Sequence, residues 1–203
     1  MAIPHSPLIR ACDVGLAVAL LIVLSPLLGI IGILIKLDSP GQILFTQWRP
    51  GKEGNLFRIL KFRTMHRNAP LAPPPYRMNA QGRIEPVMKV KNDSRVTPLG
   101  KWLRRYSLDE LPQLWNIIKG EMSFVGTRPP TAEEITAYSE SQKARLRGVP
   151  GLTGIAQIMG RTDLDFASIV AADVYYIQHR SLGLYLKILL QTIPCLLSGK
   201  SAY

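Results

Sequence analysis

Cysteine, histidine and acidic residues are scarce in this chain. Its 203 residues include two Cys and three His, and only 14 Asp and Glu stand against 25 Lys and Arg, a net charge of +11. Cys12 and Cys195 sit alone in apolar surroundings, which argues against a disulfide framework or a cysteine metal cluster and suits small hydrophobes in a reducing compartment. His5, His66 and His179 are scattered, with neither zinc-ligand spacing nor a Ser-His-Asp arrangement. No internal repeat occurs, and Gly51 to Asn55 lacks the GxxxxGK[ST] spacing of a nucleotide-phosphate loop, so it reads as a hairpin turn. The acid deficit implies an anionic partner: nucleic acid, phospholipid or a phosphorylated substrate.

One stretch lacks charge altogether. Val14 to Ile35 carries none, and these roughly 20 residues are long enough to cross the hydrocarbon core as a helix. A nucleic-acid-binding domain has no use for such a segment, whereas a protein at an anionic leaflet needs both it and the positive charge. A cleaved signal peptide fits poorly, because the stretch is too long and no small-residue cleavage site follows. A straight crossing is the simplest reading, but Ser25 and Pro26 sit mid-stretch. Proline removes one helical hydrogen bond and the serine hydroxyl can bond a freed carbonyl, permitting a kink and a re-entrant hairpin. Arg10 and Lys36 flank it with like charge, which suits two ends on one cytoplasmic face.

The chemistry concentrates in SLDELPQLWNIIKGEMSFVGTRPP, Ser107 to Pro130. Asp109 and Glu110 precede a helical pattern of Leu111, Leu114, Trp115 and Ile118, ended by Gly120. Two cap assignments compete: Ser107 with Glu110 as a capping box, or Asp109 as N-cap with Pro112 in the first turn. Either sets Asp109 at the positive end of a helix, ionised at neutral pH and able to hold a divalent metal or attack phosphorus. A plain structural cap is the competing reading of the dyad by itself. Gly126, Pro129 and Pro130 then hold Arg128 on a rigid loop, where a guanidinium suits phosphate.

This stretch resembles the signature of the bacterial sugar transferases, monotopic polyprenyl-phosphate phosphoglycosyl transferases. KFRTM at 61–65, RVTPLGKWLRR at 95–105, PGLTGIAQIMGR at 150–161 and DVYYI at 173–177 match in the family's order. The resemblance implies an anchor of helix-break-helix form with Ser25-Pro26 as the break. It also implies transfer of a phosphosugar from a UDP-sugar donor to a polyprenyl (undecaprenyl) phosphate acceptor, releasing UMP, by ping-pong chemistry through a phosphosugar carried on Asp109. Glu110 would help hold Mg²⁺ with Asp109 or manage a proton. Lys61, Arg63, Arg95, Arg128, Gln157 and Arg161 become the candidate substrate-binding residues. Two alternatives stay open: a single-displacement transferase in which Asp109 only binds metal, and an inactive membrane-surface scaffold. Val149, where members commonly carry Lys or Arg, best supports the last, with Arg147 near enough in sequence to compensate; Ile155 stands where an aromatic is frequent.

The expected fold is α+β within the α/β class, mostly helical: residues 1–37 a re-entrant membrane anchor, 38–203 a cytosolic membrane-associated catalytic domain. Ile43 to Gln47 and Leu56 to Leu60 read as a β-hairpin, with Lys61 and Arg63 on one face if the strand continues. Proline-rich Ala69 to Asp93 reads as a surface loop. Leu99, Trp102, Leu103 and Tyr106 form an amphipathic stripe, interfacial or core-packed. Thr131 to Arg147 reads as one capped, exposed helix with solvated acids, Asp173 with Tyr175 and Tyr176 as a hydrogen-bonding corner, and Ser181 to Tyr203 as a surface-lying or core-packed helix. Placement at the cytoplasmic face of the inner membrane, against anionic lipids, without nucleic acid and with a homo-oligomer left open, completes the expectation.

Overall fold

Apolar residues and a proline at the first helical position start a single helix, α1, over Pro7–Asp38 in the computed structural model. That structure describes residues 6–67, 69, 76–78, 84–86, 93–136, 138–160 and 164–198. At 1.5 Å per residue α1 is about 48 Å long. One stripe of it faces the protein: Ile9, Asp13 and Ala17, then Ile31, Gly32 and Ile35, are buried. Ile22, Val23 and Ile30 on the opposite side are exposed. α1 is the one helix among the described residues long and apolar enough to cross a membrane.

Strands β1 (Leu44–Pro50) and β2 (Leu56–Phe62) pair antiparallel, as the alternation predicts, around a turn containing a 3₁₀ segment at Lys52–Gly54. Strands β3 (Tyr76–Met78) and β4 (Ile84–Pro86) form a further short antiparallel pair inside the stretch read as loop. Helix α2 (Pro98–Arg105) is capped by Thr97, whose hydroxyl accepts from the Gly100 N–H at 2.9 Å. A 3₁₀ turn, Leu108–Glu110, leads into α3 (Gln113–Lys119), which Gly120 ends at φ 85° as expected. Strands β5 (Ser123–Val125) and β6 (Gly151–Thr153) run parallel.

The segment read as one helix is divided. α4 (Ala132–Thr136) follows Thr131, whose hydroxyl accepts from the Glu134 N–H, and α5 (Glu140–Lys143) starts again at a Ser139–Gln142 capping box. Tyr138 between them is buried against Phe166, so the chain turns inward there. Glu134 is buried too, against the expectation of solvated acids. α6 (Ile155–Ile158), α7 (Phe166–His179, capped by Asp165) and α8 (Leu182–Ser198) complete the chain. The molecule is mostly helical with three two-stranded sheets among the described residues.

Three apolar clusters hold these elements among the described residues: one joins Ala156 of α6 to Ile169 and Ala172 of α7, and α1 belongs to the other two. Ile9 and Ala17 join Phe57, Ile59, Leu114, Ile117, Phe124, Tyr185 and Ile188. Ile31 and Ile35 join Phe62 and Leu103. Polar ties fix the first contact: the Arg10 guanidinium donates to the Ile117 and Ile118 carbonyls at 2.5 and 2.6 Å, capping α3. Asp13 accepts from the Phe124 N–H and the Tyr185 hydroxyl, both at 2.9 Å. α2 and α8 pack on the core through Leu103, or through Tyr185 and Ile188, and expose Trp102, or Leu186 and Leu190, on their outer faces.

Candidate active site

The dyad is positioned by α3 and β2 together. Asn116, fully buried on α3, accepts from the Leu60 N–H at 3.1 Å and donates to the Arg58 carbonyl at 2.7 Å. That amide sutures β2 to α3 and brings Lys61 onto Glu110, Nζ to Oε1 at 2.7 Å. Asp109 lies in the 3₁₀ turn rather than at a helix cap. Ser107 adopts a left-handed φ of 54° and makes no side-chain cap bond, so neither cap assignment holds. Without a cap to stabilise it, Asp109 is governed by burial: it is 8% exposed, and desolvation pushes its pKa up to about 6 against the pull of Lys61 and Arg104, with Glu110 pushing it further up. It is still mainly a carboxylate at neutral pH.

A cleft of about 330 Å³ opens beside the dyad, lined by Arg49, Lys61, Glu110, Gln113, Arg128 and Gln157 among others. Its far wall is built on close backbone approach. A Cβ at Gly126 would strike the Val149 carbonyl, and one at Gly151 or Gly154 would strike Gly126, so glycine alone fits where β5 and β6 meet. The Gly126 N–H donates to the Thr153 carbonyl at 2.9 Å and Gly151 N–H to the Thr127 carbonyl at 2.8 Å, fixing the loop that carries Arg128. Lys61, Glu110, Arg128 and Gln157 are thus brought together. Asp109 stands next to them but does not line the wall.

Other candidates lie elsewhere. Past the end of β2 the Arg63 guanidinium turns to α1, donating to the Ile35 and Ser39 carbonyls and the Ser39 hydroxyl at 3.0, 2.5 and 3.1 Å; it caps that helix instead of facing substrate. Arg95 is clamped on Asp93 at 2.6 Å and holds that carboxyl down at about 2. Arg161 lies outside the described residues. Val149 is buried and Arg147 exposed, and neither lines the cleft. A cation not foreseen, Arg145, 1% exposed, reaches the Arg128 loop: it pairs with Asp173 at 2.6 Å and donates to the Tyr138 hydroxyl at 2.9 Å and the Arg128 carbonyl at 3.4 Å. Sequence reasoning passed over Arg49, Gln113, Asn116 and Arg145. An alternating pattern placing Arg49 on the inward face with Phe57 and Ile59 was the one signal available.

Comparison with known proteins gives the class. The family model described as bacterial sugar transferase matches residues 5–199. The chain belongs to the bacterial sugar transferase family. An exopolysaccharide production protein of Sinorhizobium fredii is 41% identical over 197 residues, 96% of this chain and 87% of the relative. A UDP-glucose:undecaprenyl-phosphate glucose-1-phosphate transferase of Caulobacter vibrioides is 42% identical over 202 residues, 96% of this chain and 71% of its own. An undecaprenyl-phosphate galactose phosphotransferase of Salmonella typhimurium is 36% identical over 200 residues, again 96% of this transferase but 41% of the relative.

Magnesium suits the donor set. Among the described residues no group of three His, Cys, Asp or Glu comes together. Mg²⁺, however, is commonly held by one or two carboxylates with water and substrate phosphates completing its shell. Asp109 and Glu110 are two adjacent hard oxygen donors at the edge of a cationic cleft, which fits that usage, and Glu110 is paired with Lys61 in this structure.

Proposed function

We propose that this transferase moves a phosphosugar from a UDP-sugar to undecaprenyl phosphate, by two displacements at Asp109, and so starts assembly of a lipid-linked glycan. One observation carries this: the carboxylate dyad adjoins a cleft walled by Arg128, Lys61 and Gln157 in a chain matched end to end by transferases of this class. In the first step an Asp109 carboxylate oxygen bonds to the β-phosphorus while the bond to the bridging oxygen breaks, and UMP leaves with that electron pair. A phosphate oxygen of the polyprenyl phosphate then attacks the same phosphorus and the Asp109 carboxylate departs. Arg128 and Lys61 bind and orient the phosphates, and Glu110 takes up or releases the acceptor's proton. Asp109 and Glu110 would hold Mg²⁺, which supplies charge neutralisation between carboxylate and phosphate.

The anchor reading is a re-entrant α1 on the cytoplasmic face. Its support is that both ends of α1 pack on the same globular body, whereas a crossing helix would part them by the roughly 30 Å of the hydrocarbon core. The Ser25 hydroxyl donates to the Ile22 carbonyl at 2.8 Å, the acceptor that Pro26 leaves without an N–H. α1 runs as one helix through Ser25 and Pro26 with no non-helical residue between two arms, so the re-entrant reading puts its bend at Pro26 within the helix.

UMP release from a panel of UDP-sugars, with Mg²⁺ and undecaprenyl phosphate, tests the activity and names the donor; none above an Asp109→Ala control would refute it. A single displacement with Asp109 as metal ligand is the second reading, favoured by the burial of Asp109 behind the cleft wall. It requires that UMP appear only when acceptor is present.

A further inference from the structure

Buried polar atoms without a partner are rare in folded proteins and call for an explanation. Four of those found among the described residues belong to side chains lining this cleft: Arg49 Nε, Gln113 Nε2, Arg128 Nε and Gln157 Oε1. Gln113 is 2% exposed. Of these, Arg49 has the least structural reason to be where it is. Its strand register sets it opposite Phe57 on the inward face of the β1–β2 hairpin, the face that also carries Ile59 and Lys61. Among the described residues its guanidinium makes no ion pair, and its one hydrogen bond, Nη1 to the Pro129 carbonyl, is long at 3.5 Å. The contrast is Arg145, a purely structural guanidinium that the fold bonds to a carboxylate, a hydroxyl and a carbonyl.

Arg49 also stands close to a like charge. Burial and then the Arg128 cation bring its pKa down to about 10, against the upward pull of Glu134, Glu133 and Glu110. It remains protonated at neutral pH. Two half-buried guanidiniums side by side, each with unmet donors, repel one another and have given up hydration. A ligand with two linked phosphates would relieve both costs, each fork taking one phosphate.

We propose that Arg49 and Arg128 form a two-guanidinium cradle for a diphosphate, which, resting on the transferase reading, is that of the nucleotide-sugar donor rather than the single phosphate of the acceptor.

Binding of inorganic pyrophosphate and orthophosphate to purified full-length protein in detergent, for wild type, Arg49→Gln, Arg49→Lys and the exposed control Arg147→Gln, tests the cradle without requiring turnover. Wild type and Arg147→Gln should bind pyrophosphate more tightly than orthophosphate. Arg49→Gln should weaken pyrophosphate by about 10-fold to 100-fold, the scale of a lost charge-assisted hydrogen bond. Arg49→Lys keeps charge and bulk, and should fall between; it carries the test if the Gln variant does not fold. Equal pyrophosphate affinity in wild type and a folded Arg49 variant, or no pyrophosphate binding by wild type, overturns the cradle. In turnover, Arg49→Lys should raise KM for the UDP-sugar and leave KM for undecaprenyl phosphate unchanged; the reverse overturns the donor assignment. Pyrophosphate bound through Arg49 with no UMP release from any UDP-sugar would instead overturn the transferase reading and uphold the cradle.

Discussion

Asp109 costs stability where it stands. Its folded pKa, raised by burial to about 6, exceeds the usual 3.8. Its contribution to folding is therefore most favourable below pH 4 and is lost as pH rises through 6. Asp109→Asn should accordingly raise Tm at pH 7, by at most about 3 kcal/mol of stability, with the gain vanishing near pH 4, while turnover is abolished. Thermal melts across pH read this directly; an Asn variant whose gain over wild type is no larger at pH 7 than at pH 4 would contradict it. Asp173 is raised in the same way, but it is the partner of buried Arg145. Burial pushes Asp173 up to about 6 despite its guanidinium partner, and removing either partner strands a buried charge. Asp173→Asn should cost roughly 3–5 kcal/mol. An apolar pair, Arg145→Met with Asp173→Leu, should recover much of that stability yet raise donor KM, because the Arg128 carbonyl loses its donor. The charges were legible in the sequence and their partners were not. Lys61 and Arg63 lie two positions apart, but the strand ends at Phe62, so one meets Glu110 and the other caps α1.

At the scale of elements, α1 is a structural member of the site as well as an apolar segment. Arg10 caps α3, which follows the dyad turn, and Asp13 holds the N–H of Phe124 on β5, which leads into the Arg128 loop. Arg10→Ala should lower Tm and depress turnover together, without a selective effect on donor KM. A cysteine placed near the N-terminus should react in intact cells only with membrane-permeant reagents; labelling from outside would contradict the re-entrant anchor. Periodicity announced α1, the hairpin and α3, because burial on one face leaves its imprint on sequence. Caps were less legible. Ser107 looked like a cap, but the chain bends through a left-handed residue there, and Ser139, unremarked in sequence, starts α5 because buried Tyr138 forces a turn. Asn116 was invisible for another reason: two of its three side-chain hydrogen-bond partners, Leu60 and Arg58, lie on β2, far away in sequence.

For the whole molecule, one exposed apolar flank of α1 and an apolar outer face on α8 suit membrane association, and the net charge of +11 suits an anionic partner. Charge and apolar segments were readable from composition; the cleft was not, since it is assembled from β1, β2, the dyad turn, the Arg128 loop and α6. The proposed double displacement requires that Asp109 carry the phosphosugar. Purified transferase incubated with its UDP-sugar and Mg²⁺, but without acceptor, should release UMP up to one equivalent. Mass spectrometry should then find the phosphosugar on the peptide containing Asp109, and undecaprenyl phosphate should discharge it. UMP formed only when acceptor is added, with no adduct on Asp109 at any time, would contradict it.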